Sequence, residues 1–106
     1  MKNREKVIQK INELAWANYP ELEIYLYGSQ ARGEAKHISD WDLLVLLKVR
    51  RISFKLETKL MDEFYDLELE TGEIFSPLIY SESDWTRNHV HSPLYEIIQK
   101  DGIRIK

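Results

Sequence analysis

A chain of 106 residues suffices for one domain with a modest core, expected here to span residues 1–106, and leaves no room for a second. Its composition, 43% hydrophobic and 31% charged, is that of an ordinary globular protein. No run approaches the roughly 18 apolar residues of a membrane span, and the lack of cysteine excludes thiolate chemistry, disulfides and a zinc ribbon. The net charge is −3 and Lys48, Arg50 and Arg51 form the only basic cluster, which disfavours nucleic acid as a partner and favours a small substrate or another protein.

The N-terminus, Met1 to Lys6, has no apolar stretch of the signal-peptide kind, so a cytoplasmic location is expected. Val7, Ile8, Ile11, Leu14 and Ala15 recur at helical spacing and predict an amphipathic helix over residues 3–18, stopped by Pro20. Leu22 to Tyr27 alternates and is rich in β-formers, which predicts a strand ending at Gly28. Ser29 to Arg32 reads as a short helical turn capped by Gly33. Trp41 to Val49 is a nearly unbroken Leu and Val run, the pattern of a strand buried on both faces.

Ser53 is a cap for a longer helix with Leu56, Leu60, Phe64 and Leu67 as its buried stripe, and Gly72 is its exit. Ile74 to Tyr80 predicts a third strand, in which Pro77 requires an edge or a bulge because proline cannot donate to a ladder. Ser81 to Asp84 opens a short helix. Pro93 to Lys100 predicts the last one, burying Leu94, Ile97 and Ile98 and ending at Gly102, before a terminal strand or docked tail at Ile103 and Ile105. The expected architecture is one α/β (α+β) unit, a small mixed sheet flanked by helices.

The chemistry gathers between the first two strands. Side chains alternate along a strand, so Asp40 and Asp42 point to the same face. Two carboxylates held that close repel unless a cation lies between them, and oxygen-only ligands of this kind suit Mg²⁺ together with substrate phosphates. Gly28 allows close backbone approach, and Ser29 opens a helical turn whose free N–H groups favour a phosphate. A phosphate cradle and a metal pair are the two parts that nucleotidyl transfer requires.

Gly28-Ser29-Gln30-Ala31-Arg32-Gly33-Glu34-Ala35, followed by Ser39-Asp40-Trp41-Asp42-Leu43, resembles the motif of the DNA polymerase β-like nucleotidyltransferase superfamily. Within that superfamily the chain is similar to the small stand-alone nucleotidyltransferases, many of which act as antitoxin to a HEPN-domain toxin. The resemblance implies the minimal nucleotidyltransferase fold, with Gly28 and Ser29 on the triphosphate and Asp40 and Asp42 as catalytic ligands of Mg²⁺. It leaves Arg32 either to reach a phosphate or to sit exposed at a helix end. It implies transfer of an NMP, AMP from ATP in the first instance, onto a hydroxyl such as a tyrosine of a HEPN-type partner.

Active members add a third carboxylate on a later strand. Ser76 stands where that acid is expected, and a serine is neither an anionic ligand nor a base near neutral pH. Glu73 lies three residues away, on the opposite face of a regular strand, and Glu70 lies near the preceding helix end; a bulge at Pro77 would change the facing. Two functions therefore stand side by side: a transferase, and a nucleotide-binding antitoxin that works by holding its partner. His37, His89 and His91 are read as loop or capping residues, and Trp16, Trp41 and Trp85 as core or interface material. Trp41, between the two aspartates, should face away from the metal. Exposed strand edges permit a homodimer without requiring one.

Overall fold

A computed structural model describes residues 2–19, 21–33 and 40–106. Pro20 and the segment 34–39, with the motif residues Glu34, Ala35 and Ser39 and also His37, lie outside the described residues. The elements in chain order are α1 (Lys2–Asn18), β1 (Glu23–Tyr27), α2 (Ser29–Arg32), β2 (Trp41–Leu47), α3 (Phe54–Thr71), β3 (Phe75–Ser81), α4 (Glu82–Asn88), α5 (Pro93–Asp101) and β4 (Ile103–Arg104).

The strands form one mixed sheet in the order β3-β2-β1-β4. Strand β2 runs antiparallel to β1 and parallel to β3, and β4 adds antiparallel to β1. Strand β2 is buried on both faces, as its unbroken apolar run requires. Leu43, Val45 and Leu47 pack with Val7, Ile11 and Ala15 of α1 and with Leu60, Phe64 and Leu67 of α3. Leu44 and Leu46 face the other way, onto Trp85 of α4 and Ile98 of α5. The result is a small mixed sheet with helices on both sides, the architecture expected from the sequence.

Local chemistry sets the boundaries. Ser53, Ser81 and Ser92 each precede a helix and accept a backbone N–H from the first turn, satisfying a donor that the helix cannot. Pro77 sits in β3, an edge strand, so its missing N–H costs no ladder bond on the open side. The β2–β3 register runs unbroken from Phe75 to Ser81, so no bulge changes the facing there.

Two expectations need correction. Strand β2 ends at Leu47, and Lys48 to Arg51 leave the sheet as bends. Ile97 is 43% exposed. The buried face of α5 is made by Leu94, Tyr95 and Ile98, and Ile97 lies roughly a quarter-turn outside that stripe. Of the tryptophans, Trp41 and Trp85 are core, whereas Trp16 is exposed and carries the Lys106 ammonium over its ring at 4.1 Å.

Candidate active site

The site lies where β1 ends and β2 begins. Antiparallel pairing sets Tyr27 against Asp42, and parallel pairing sets Ser76 against the same aspartate. Tyr27, Asp42 and Ser76 thus form a row across three strands. Cross-strand partners share a face, so all three point to the side covered further along by α4 and α5. Asp40, two residues before Asp42, joins them from the strand mouth, and Ser76 Oγ donates to Asp40 Oδ2 at 3.0 Å.

Gly28 follows Tyr27 and turns the chain into α2. Its φ of 78° and ψ of −158° lie in a region that is essentially glycine's alone. A Cβ there would collide with Asp42 Oδ2, so the bare backbone lies directly against the carboxylate. The turn that follows is one four-residue helix in which Arg32 N–H donates to Gly28 O at 3.2 Å, and Gly33 closes it at φ 71°.

Asp42 is half-buried, and its carboxyl is pushed above the ordinary carboxylate value by burial first and by the Asp40 charge second. The Arg32 guanidinium acts in the opposite direction on the same carboxylate, which places its charge within electrostatic reach of the site although its side chain is exposed. A half-buried carboxylate beside a second one is a pair whose repulsion a hard divalent cation relieves, and its donors are the oxygens that Mg²⁺ prefers. Asp40 and Asp42 therefore fit such an ion as two would-be ligands. Among the described residues no group of three or more Asp, Glu, His or Cys side chains is placed to hold a metal ion.

The structure also accounts for the other acids. Glu73 Oε1 accepts from Trp41 Nε1 at 2.8 Å, on the side of the sheet away from Asp42. Glu70 Oε2 pairs with Lys10 Nζ at 2.6 Å between α3 and α1. Ser76 is left as the β3 side chain beside the two aspartates. His89 caps α4, stacks on Trp85 and meets Asp84 Oδ2 at 3.3 Å, a capping role as expected.

Two residues of the site region carried no sequence signal. Arg4, on α1, donates through Nε and Nη2 to the Gln30 carbonyl, at 3.4 and 3.2 Å, where the C-terminal end of α2 favours a cation. Tyr27 stands beside Asp42, and its phenol is raised by burial, then by Asp42 and by Tyr80. Both depend on pairings distant in the chain; for Tyr27 the alternation of Glu23, Tyr25 and Tyr27 gives the face but not the neighbour.

The family model described as polymerase beta, nucleotidyltransferase matches residues 9–92, a span that includes α2, both aspartates and Ser76. The chain belongs to the polymerase β nucleotidyltransferase family. No curated protein sequence matches it. Among solved structures, this nucleotidyltransferase-family chain is similar to a toxin–antitoxin crystallised with AMP-PNP (21% identity, TM-score 0.64, covering 93% of this chain and 72% of that one). A mutant of the toxin–antitoxin MntA–HpeT is comparably similar (19% identity, TM-score 0.65, 93% and 72%). So is a Sulfolobus solfataricus protein described as a nucleotidyltransferase (18% identity, TM-score 0.54, 97% and 82%). At these identities the likeness is one of fold.

Proposed function

We propose that this chain, acting as one domain, is a Mg²⁺-dependent nucleotidyltransferase that moves AMP from ATP onto a hydroxyl of a protein partner. The observation that carries this reading is the Asp40–Asp42 pair set against the Gly28 turn, because it joins a divalent-cation site to a phosphate cradle. Asp40 and Asp42 are the metal ligands and catalytic residues. Gly28 and Ser29 hold the triphosphate through the backbone, and Arg32 lends positive charge beside it. Mg²⁺ bound there would neutralise the triphosphate and orient its α-phosphorus. In the transfer, the acceptor oxygen bonds to the α-phosphorus, the bond to the β-phosphate oxygen breaks and pyrophosphate leaves. The acceptor proton goes to water, since Ser76 offers no base.

The likeness to toxin–antitoxin structures, one of them with AMP-PNP, supports a nucleotide substrate and a toxin as the protein partner. The resemblance of the motif at residues 28–43 adds a tyrosine of a HEPN-domain toxin as the acceptor and a cytoplasmic antitoxin as the role. Incubation with Mg²⁺, α-labelled ATP and the product of the adjacent gene should label that protein, and Asp40→Ala should abolish the label. Wild type and Asp40→Ala leaving every protein equally unlabelled would remove the catalytic claim.

A second reading rests on Ser76. Without the third acid, the same site would bind Mg²⁺–ATP and turn it over slowly, and the chain would neutralise its partner by binding. Asp40→Ala/Asp42→Ala that still neutralises a co-expressed partner fully favours this reading over the first.

A further inference from the structure

The sheet has a second charged end. Lys48, Arg50 and Arg51 follow β2, and Arg87 reaches the same place from α4; together with Ser83 and Glu82 they line one concavity of about 910 Å³. That volume lies within the roughly 300–1,000 Å³ usual for small-ligand sites. Four of the chain's fifteen basic residues meet here although the net charge is −3. Three of them belong to the run 48–51, and the fold adds Arg87 from a segment distant in sequence.

The cations are also left available. Among the described residues, Lys48, Arg50 and Arg51 are exposed and enter no ion pair. Asp84 on α4 is hydrogen-bonded to Asn88 and meets His89, and it also feels the Arg87 charge, so Arg87 is the partly compensated member of the four. Among the described residues Glu82 is the one acid in the lining, against four cations. Like charges in excess on one wall repel each other, and a polyanion relieves that repulsion.

The site is separate from the aspartate pair. Asp42 and Lys48 lie near opposite ends of β2, six residues apart, which is roughly 20 Å along the strand. A triphosphate held at Gly28 does not span that distance. Among the described residues the lining contains no aromatic side chain on which a base could stack, so recognition here is of charge and not of nucleobase. Three guanidiniums suit the paired oxygens of phosphate groups better than lone ammoniums would.

We propose that this concavity is a second binding site, for a compact run of three or four phosphate groups. A free oligophosphate and a short stretch of phosphodiester backbone share that chemistry. The proposal is independent of whether the aspartate pair performs transfer.

The test uses the full chain without Mg²⁺, titrated with sodium tripolyphosphate and, separately, with a fluorescently labelled ten-nucleotide oligoribonucleotide. Arg50→Ala/Arg51→Ala/Arg87→Ala should weaken binding of at least one probe about tenfold or more. Lys6→Ala/Lys55→Ala/Lys100→Ala, with the same loss of charge elsewhere, should leave it within about twofold. With three phosphates neutralised, oligonucleotide affinity should fall about tenfold to twentyfold between 50 and 200 mM salt. A preference for tripolyphosphate identifies a free oligophosphate, and one for the oligonucleotide identifies a phosphodiester backbone. Unchanged circular dichroism spectra separate loss of the site from loss of the fold. The proposal is overturned if neither probe binds, if both triple variants weaken binding equally, or if poly-glutamate competes as well as the phosphate probes; the last result would assign the pocket to an acidic protein segment.

Discussion

Ser76 donates its hydroxyl to Asp40 Oδ2 at 3.0 Å, and the β2–β3 register sets the same serine directly opposite Asp42. A neutral hydroxyl therefore occupies the place beside both aspartates where a third carboxylate would complete a catalytic set. The hydrogen bond steadies Asp40 without adding negative charge or a proton acceptor.

Ser76→Asp supplies the missing acid on the correct face. General-base catalysis is worth about 10²–10⁴-fold, and a carboxylate not tuned by its surroundings should deliver the lower end, a gain of about a hundredfold in transfer rate. The third charge should also lower the metal-free melting temperature, with Mg²⁺–ATP restoring it. A folded, nucleotide-binding Ser76→Asp with no gain in labelling of the partner would count against a missing base as the limit on rate.

Gly28→Ala meets two obstacles at once, a backbone region closed to side chains and a clash with Asp42 Oδ2. The backbone strain alone costs about 1–3 kcal/mol. Urea unfolding should show a loss of that order, and calorimetric titration should show Mg²⁺–ATP binding falling further than stability does, since the carboxylate must move. Retention of wild-type nucleotide affinity would separate Gly28 from the site.

Asp42 has a carboxyl raised above 3.8 by burial, and then by Asp40. The native state consequently holds this proton more tightly than the unfolded chain does. The contribution of Asp42 to stability is greatest below pH 3.8 and declines as pH rises through its higher native value. Asp42→Asn should thus be modestly more resistant to denaturant at pH 7 than wild type while losing Mg²⁺–ATP binding. In wild type, Mg²⁺ affinity should fall on acidification at a pH above that of an ordinary aspartate. An Asp42→Asn less stable than wild type at neutral pH contradicts this account.

Trp41 and Glu73 form a bond on the far side of the sheet, at 2.8 Å, with the indole almost fully buried. A hydrogen bond to a charged acceptor is worth about 1.5–3 kcal/mol, so Trp41→Phe should destabilise by about that amount. Glu73→Gln keeps an acceptor and should leave the transfer rate within about twofold, whereas loss of a general base would reduce it about 10²-fold or more. A large rate loss in a folded Glu73→Gln would return Glu73 to the catalytic set.

Much of the local structure was legible because its causes are local. Ser53 and Ser81 cap helices for reasons contained in three or four neighbouring residues, and the Leu-Val run after Asp42 announces a strand covered on both faces. Whether Glu70 or Glu73 stands beside the two aspartates was not legible in that way. Their places depend on partners distant in the chain: Lys10, from another helix, holds Glu70, and Trp41, from another strand, holds Glu73. Ile97 was misplaced because a nine-residue helix offers too few turns to fix its buried stripe by periodicity alone.

By itself the sequence determined the Gly28 turn, the shared face of Asp40 and Asp42 and the order of the elements, because turn conformation, strand alternation and helix capping act over a few residues. Only the tertiary structure decided that Tyr27, Asp42 and Ser76 form one row and that Arg87 joins Lys48, Arg50 and Arg51. Register and helix placement come from packing between segments distant in the chain, and no local pattern encodes which side chain stands opposite which. The Gly28–Asp42 motif was thus readable before the fold, while its neutral neighbour Ser76 acquired its meaning from the strand beside it.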